Sequence, residues 1–169
     1  MRSPSVFLGL GSNLGNRELS LERGLASLES RGFEVMRRSS SYLTEPVGGP
    51  AQDWFLNAVV AGETELTPDA LLEACLEVEA ELGRVRRVPN GPRTLDLDLL
   101  LYGSELRHGE RLQLPHPRFH ERRFVLVPLA EIAPELRHPL LGSSVQELLE
   151  RCPDASQVVR AATGLSLPR

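Results

Sequence analysis

An α+β fold, with an antiparallel sheet and helices packed on it, is predicted by three features of the chain. Two segments of helical periodicity each open on a capping residue and stop at a glycine, Asn16 to Gly32 and Thr67 to Gly83. Around and between them lie four segments of strand character, so the elements run β, α, β, β, α, β. A short capped helix near the C-terminus adds a helical extension to that core. The order is that of the split βαβ, ferredoxin-like arrangement, an antiparallel sheet with helices on one face. At 169 residues the chain is expected to form one domain, 1–169, large enough to bury a core without disulfide staples.

Ser5-Val6-Phe7-Leu8-Gly9-Leu10 reads as a short buried strand, followed by a turn that leads into a helix capped by Asn16. Leu21, Leu25 and Leu28 form that helix's apolar stripe. Gly9, Gly11 and Gly15 lack the GxGxxG spacing of a dinucleotide fingerprint and no GK[ST] follows. They read first as packing and turn residues, with Asn13 within reach of a ligand. Residues 33–43 form the next strand, with Phe33, Val35 and Tyr42 as its stronger members, and a turn-rich loop runs from Thr44 to Pro50. In the strand over residues 54–61, Phe55 and Asn57 share a face. Together they suit a flat heterocycle, one stacking and the other hydrogen-bonding; equally, they suit a core ring beside a solvated amide.

Thr67 and Pro68 begin the second helix as N-cap and first helical residue. Leu71, Cys75, Val78 and Leu82 line one face with Leu72 and Leu76 beside them, while Glu73, Glu77 and Glu81 lie opposite. Glu79 falls inside the apolar arc, where a carboxylate needs a partner: a ligand, an arginine, or water at the rim.

Alternation is strict from Thr94 to Asp98, so Thr94, Asp96 and Asp98 share one face of a strand and Leu95, Leu97 and Leu99 the other. Two carboxylates so placed repel unless a cation or water separates them. Mg²⁺, which takes one or two carboxylates, waters and phosphate oxygens, would suit the pair. Arg84, Arg86, Arg87 and Arg93 lie just upstream in a loop broken by Pro89, Asn90, Gly91 and Pro92. Carboxylates for a metal beside guanidinium groups for phosphate point to phosphoryl transfer. His116, held between Pro115 and Pro117 with Arg122 and Arg123 following, reads as a phosphate contact. Further on, Ser144 and Glu147 form a capping box, Val158 to Ala162 read as an edge strand, and no chemistry is evident after about residue 130.

Composition narrows the function classes. A net charge of −4 argues against a general nucleic-acid or membrane binder, yet residues 84–123 hold nine Arg against five Asp and Glu. A small anionic ligand fits that asymmetry. All cationic side chains other than the four His are Arg, so clustering carries the argument and the choice of Arg over Lys does not. No apolar run approaches the ~18 residues of a membrane span, and a cytoplasmic protein is expected. Cys75 and Cys152 form no CxxC and read as buried small hydrophobes.

Several motifs occur together in a familiar order and spacing: Gly9-Leu10-Gly11-Ser12-Asn13, Thr44-Glu45-Pro46-Val47-Gly48, Phe55-Leu56-Asn57-Ala58, Gly83-Arg84-Val85-Arg86, Gly91-Pro92-Arg93-Thr94-Leu95-Asp96-Leu97-Asp98, Leu114-Pro115-His116-Pro117 and Glu121-Arg122-Arg123-Phe124-Val125-Leu126. By these the chain resembles the 6-hydroxymethyl-7,8-dihydropterin pyrophosphokinases over about residues 5–135. The resemblance implies transfer of pyrophosphate from ATP to the pterin's hydroxymethyl group, with release of AMP, in folate biosynthesis. It implies that Asp96 and Asp98 hold two Mg²⁺ ions. Arg84, Arg93, His116 and Arg122 would surround the triphosphate, with Arg84 and Arg93 also catalytic, Arg87 at a basic position of the loop, and Glu79 near the nucleotide. Phe55 and Phe124 would sandwich the pterin, while Asn57, Thr44 and the backbone around Pro46 and Val47 read its polar edge. The chain departs from the pattern in a loop between Arg86 and Gly91 one residue shorter than in a well-known bacterial member, in Asn90 where some members carry an aromatic residue, and in Arg87 where Lys is usual. A monomer is expected, without nucleic acid or membrane. Two other readings stay open at this point: another Asp-x-Asp metal-dependent nucleotidyl or glycosyl transferase, and a ferredoxin-like RNA-binding module.

Overall fold

In the computed structural model, which describes residues 5–47, 51–83 and 94–161, the strands β1 (Val6–Ser12), β2 (Phe33–Arg38), β3 (Tyr42–Thr44), β4 (Phe55–Thr64) and β5 (Asp96–Tyr102) form the sheet. A separate ribbon pairs β6 (Arg107–His108) with β7 (Gln113–Leu114), and β8 (Val158–Arg160) joins the main sheet late in the chain. The order across the sheet is β5-β1-β4-β3-β8, with β2 also on β4, and all of these pairs are antiparallel. The predicted strand over 33–43 is two strands, β2 and β3, that share β4 as partner. Ser39 interrupts it by bonding inward: its N–H donates to the Val59 carbonyl and its hydroxyl accepts from the Val59 N–H.

Helix α1 (Arg17–Ser30) starts where Asn16 Oδ1 accepts the Leu19 N–H, and Gly32, with φ 105°, takes the left-handed turn that follows its end. Helix α2 (Pro68–Glu81) starts in the same way, with Thr67 Oγ1 accepting from Ala70 N–H and proline at its first position. Both pack on one face of the sheet. There Leu8, Leu10, Ala58, Val60, Leu97 and Leu99 meet Leu21, Leu25, Leu28, Leu71, Cys75 and Val78. Leu82 is only half-buried and Leu76 is exposed, so the stripe is narrower than the periodicity suggested.

Among the described residues, the other face is covered at one end only. After a 3-10 turn at Phe119–Glu121 come α3 (Arg123–Ile132) and α4 (Val145–Glu150), the latter with the predicted Ser144–Glu147 capping box. Phe7, Val59, Ala61, Leu100 and Leu101 pack there against Phe119, Val125, Leu126, Leu129, Val145 and Leu148. Helices therefore lie on both faces, where the sequence led us to expect one: the tail is the lid of a second core. A bulge in β5 adds a residue to that second core. Leu8 pairs with Leu99 and Phe7 with Leu101, leaving Leu100 as the extra residue. Alternation is thereby reset, and Leu100 and Leu101 both enter the second core while Tyr102 returns to the first.

Candidate active site

The uncovered end of the second face is a cavity of about 740 Å³. Its floor follows from register. Gly11 pairs with both Asp96 and Asn57, and Gly9 with both Asp98 and Val59, so these residues share one face of three adjacent strands. Neither β1 position carries a side chain. A Cβ at Gly9 would only touch Leu100 and Asp98, at 3.8 and 4.0 Å, whereas one at Gly11 would overlap Asn57 Oδ1. The two glycines, read from sequence as packing and turn residues, thus form the bare strip between the carboxylates and the amide. Their period-two spacing opposite the Asp pair was the available signal.

Asp96, Asp98, Thr44, Pro46, Val47, Phe55, Asn57, Arg122 and Phe124 all line this cavity, drawn from four strands or loops and one helix start. Asn57 is buried, and its amide N–H donates to Thr44 Oγ1 at 2.6 Å. That bond orients the amide and leaves its oxygen toward Gly11. Phe124, in the first turn of α3, faces the cavity together with Phe55, and the Arg122 guanidinium carbon stands 5.7 Å from the Phe124 ring centroid. Asp96 and Asp98 are half-buried. Sequence reading passed over Arg118, Glu121 and Asp154, which line the same cavity.

Two predicted residues support the site from outside that lining. Glu79 is 4% exposed and accepts the Leu97 backbone N–H at 2.7 Å, so it holds β5 between the two aspartates; the option of a rim carboxylate meeting water is overturned. His116 is half-buried beside Arg118 and Arg122, and its backbone N–H donates to the Leu100 carbonyl. Its Nδ1 accepts from the Arg118 N–H at 3.1 Å, which leaves Nε2 as the donor of a neutral ring. Burial first, then the charges of Arg122 and Arg118, push its pKa down to about 4 against the pull of Asp96. Asn13, considered a ligand contact, is 2% exposed and ties down the loop before β4, donating to Gln52 Oε1 and the Asp53 carbonyl. Arg84, Arg87 and Arg93 lie outside the described residues.

Metal fit can be judged from the donor set. Among the described residues no group of three or more His, Cys, Asp or Glu could hold an ion by itself. Two carboxylates on a stiff strand beside an open cavity match Mg²⁺, which fills its remaining positions with water and phosphate oxygens.

A ferredoxin-like sheet with a carboxylate pair, a guanidinium and two aromatic rings around one cavity defines a class, a transferase of the kinase type acting on a flat substrate. The family model for 7,8-dihydro-6-hydroxymethylpterin-pyrophosphokinase (HPPK) matches residues 7–134. The 2-amino-4-hydroxy-6-hydroxymethyldihydropteridine pyrophosphokinase of Methylorubrum extorquens is 51% identical over 147 residues, 86% of this chain and 92% of that one. The Bacillus subtilis protein of the same name is 47% identical over 132 residues, 78% and 79% of the two chains. Among solved structures, HPPK-DHPS of Plasmodium falciparum superposes with a TM-score of 0.69 at 14% identity, over 89% of this chain. This chain spans only 45% of that one, and the likeness speaks for the fold alone. The chain belongs to the 7,8-dihydro-6-hydroxymethylpterin-pyrophosphokinase family.

Proposed function

We propose that the cavity described above is the site at which pyrophosphate passes from ATP to the hydroxymethyl group of 6-hydroxymethyl-7,8-dihydropterin, in folate biosynthesis. The observation that carries this is the convergence of Asp96, Asp98, Phe55, Asn57, Arg122 and Phe124 on one 740 Å³ space, in a chain of the pyrophosphokinase family. Phe55 and Phe124 stack on the two faces of the pterin. Asn57, fixed by Thr44, hydrogen-bonds its polar edge together with the backbone at Pro46 and Val47. Arg122 and neutral His116 contact the triphosphate, joined by Arg84, Arg87 and Arg93, whose roles rest on the family resemblance.

Asp96 and Asp98 hold two Mg²⁺ ions, which when bound would neutralise phosphate charge and acidify the substrate hydroxyl. The hydroxymethyl oxygen bonds to the β-phosphorus, the bond from that phosphorus to the α-phosphate oxygen breaks, and the electron pair leaves with AMP. The hydroxyl proton goes to solvent. Guanidinium groups beside the leaving phosphate stabilise its charge, and stacking holds the hydroxyl in line. Glu79 keeps β5, and with it both aspartates, at a fixed height. The working unit in this reading is a single-domain monomer of residues 1–169, acting in the cytoplasm.

Purified protein with ATP, Mg²⁺ and the dihydropterin, resolved by chromatography, is expected to give AMP in step with pterin pyrophosphate and none without pterin. ADP as product would refute pyrophosphoryl transfer. Asp96→Asn or Asp98→Asn is expected to lower turnover by at least about 10³-fold while pterin binding by calorimetry stays within about threefold. Equal loss of both would remove the metal-holding role.

A further inference from the structure

Helix α3 carries Phe124 in its first turn and follows directly on Arg122, yet its N-cap, Arg122, makes no side-chain capping bond. The partner comes from 31 residues further on. Asp154 Oδ2 accepts the Arg123 N–H at 3.0 Å, and its Oδ1 accepts the Ser156 N–H at 2.9 Å. A carboxylate at that end of a helix is favoured by the helix dipole as well as by the bond itself. Burial opposes the charge, but the hydrogen bonds from Ser156 and Arg123 together with the Arg123 charge hold the Asp154 carboxyl below the ordinary carboxylate range, so it stays ionised at neutral pH. The same segment then crosses to the other wall of the cavity. The Gln157 N–H donates to Glu45 Oε1 at 2.7 Å, and the Glu45 N–H donates to the Gln157 carbonyl at 3.1 Å. Residues 154–157 therefore join the wall that bears Arg122 and Phe124 to the loop that bears Pro46 and Val47.

We infer that Asp154 is a positioning residue for the pterin: by holding the Arg123 N–H it sets where the first turn of α3 stands, and hence how Phe124 faces Phe55. This rests on the assignment of the cavity to the pterin. Truncating the carboxylate frees the start of α3 and loosens the stacking slot, while the aspartate pair on β5 stays where Glu79 holds it. The loss therefore falls on pterin binding and spares the chemical step.

Full-length Asp154→Ala, Asp154→Asn, Arg123→Pro and Arg123→Ala separate this from a general loss of structure. Proline removes the donor N–H yet suits the first helical position, and Arg122, extended at φ −116° and ψ 111°, already has the backbone that precedes proline. In steady-state AMP assays, Asp154→Ala and Arg123→Pro are expected to raise the pterin KM about five- to tenfold, with kcat within about threefold of wild type. Asp154→Asn, which keeps an acceptor oxygen, and Arg123→Ala, which keeps the N–H, are expected to stay within about threefold. Titration of pterin fluorescence reads the same pattern without turnover. Should Asp154→Ala fail to fold, the proline and alanine pair at Arg123 decides. An unmoved pterin KM and Kd in Asp154→Ala and Arg123→Pro overturns the inference, as does an equal effect of proline and alanine at Arg123. A wild-type protein that binds pterin but forms no AMP instead refutes the assigned reaction, and the binding titration still tests Asp154.

Discussion

His116 and Gly11 show how much a single position does here through what it withholds. His116 withholds a charge: its ordinary pKa of 6.5 falls to about 4 in the folded chain, so the ring stays neutral beside two arginines and contributes a donor. The unfolded chain takes up a proton near 6.5 and the native one only near 4, so stability is complete above the first value and is lost as pH falls toward the second. Urea melts are therefore expected to show stability falling from pH 7 to pH 5, with a shallower fall in His116→Gln. An identical slope in both proteins would place the titration elsewhere. Gly11 withholds a side chain. Gly11→Ala is expected to displace Asn57, breaking its bond to Thr44 and weakening pterin binding about tenfold or more, with a smaller effect on melting temperature. The aspartate pair stood out in the sequence because two carboxylates are unusual on one face of a strand, whereas Phe55 and Asn57 were one of two open readings and Phe124 came only from the resemblance. Gly9 and Gly11 were passed over because an absence of side chain carries meaning only once the strands beside it are known, and Asp154 because nothing in the local sequence points 31 residues back to Arg123.

At the level of elements, the helices were read most faithfully, since capping and periodicity are local: Asn16 and Thr67 cap as expected, and Gly32 and Gly83 have φ of 105° and 83°. The strand over 33–43 divided because Ser39 bonds to Val59 across the sheet, a tertiary choice that alternation does not reveal. Glu79 was rightly singled out as out of place on an apolar arc, and its observed partner explains why. β5 pairs with β1 on one side, and on the other its Leu97 N–H is met by the Glu79 carboxylate of α2. Glu79→Ala is expected to cost about 1–3 kcal/mol in urea denaturation, since it strips a buried N–H of its acceptor. It is also expected to lower kcat more than it raises the pterin KM, because β5 carries the aspartates and not the stacking rings. A change confined to the pterin KM would show that the carboxylate serves the pterin and not the strand.

At the scale of the whole molecule, the distribution of cover decides what kind of protein this is. A ferredoxin-like RNA binder presents an open sheet face; here α1 and α2 seal one face, and α3 and α4 close the other except at the cavity. That second layer was the largest part of the architecture not visible in the sequence. Periodicity says that Val125, Leu126 and Leu129 want burial, but not against which face. The bulge at Leu100 has a further consequence for how this protein tolerates change. Either side of it the strand has opposite parity, with even positions up to Asp98 facing the cavity and Tyr102 facing the helices α1 and α2. Leu100→Val preserves that count and is expected to remain folded and active, at a cost of about 1 kcal/mol. Deleting Leu100 also preserves both faces, because Leu99 and Leu101 already pair with the neighbours Leu8 and Phe7, whereas deleting Leu97 must turn Asp96 or Asp98 into the α1 and α2 core. Turnover is expected to vanish on deletion of Leu97, with melting temperature falling sharply, and to survive deletion of Leu100; activity retained without Leu97 would mean the strand re-registers freely. Ahead of the bulge β5 works as a ruler as much as a surface, and its history should show side chains exchanged often there and residues gained or lost almost never, with the bulge as the place where length can change.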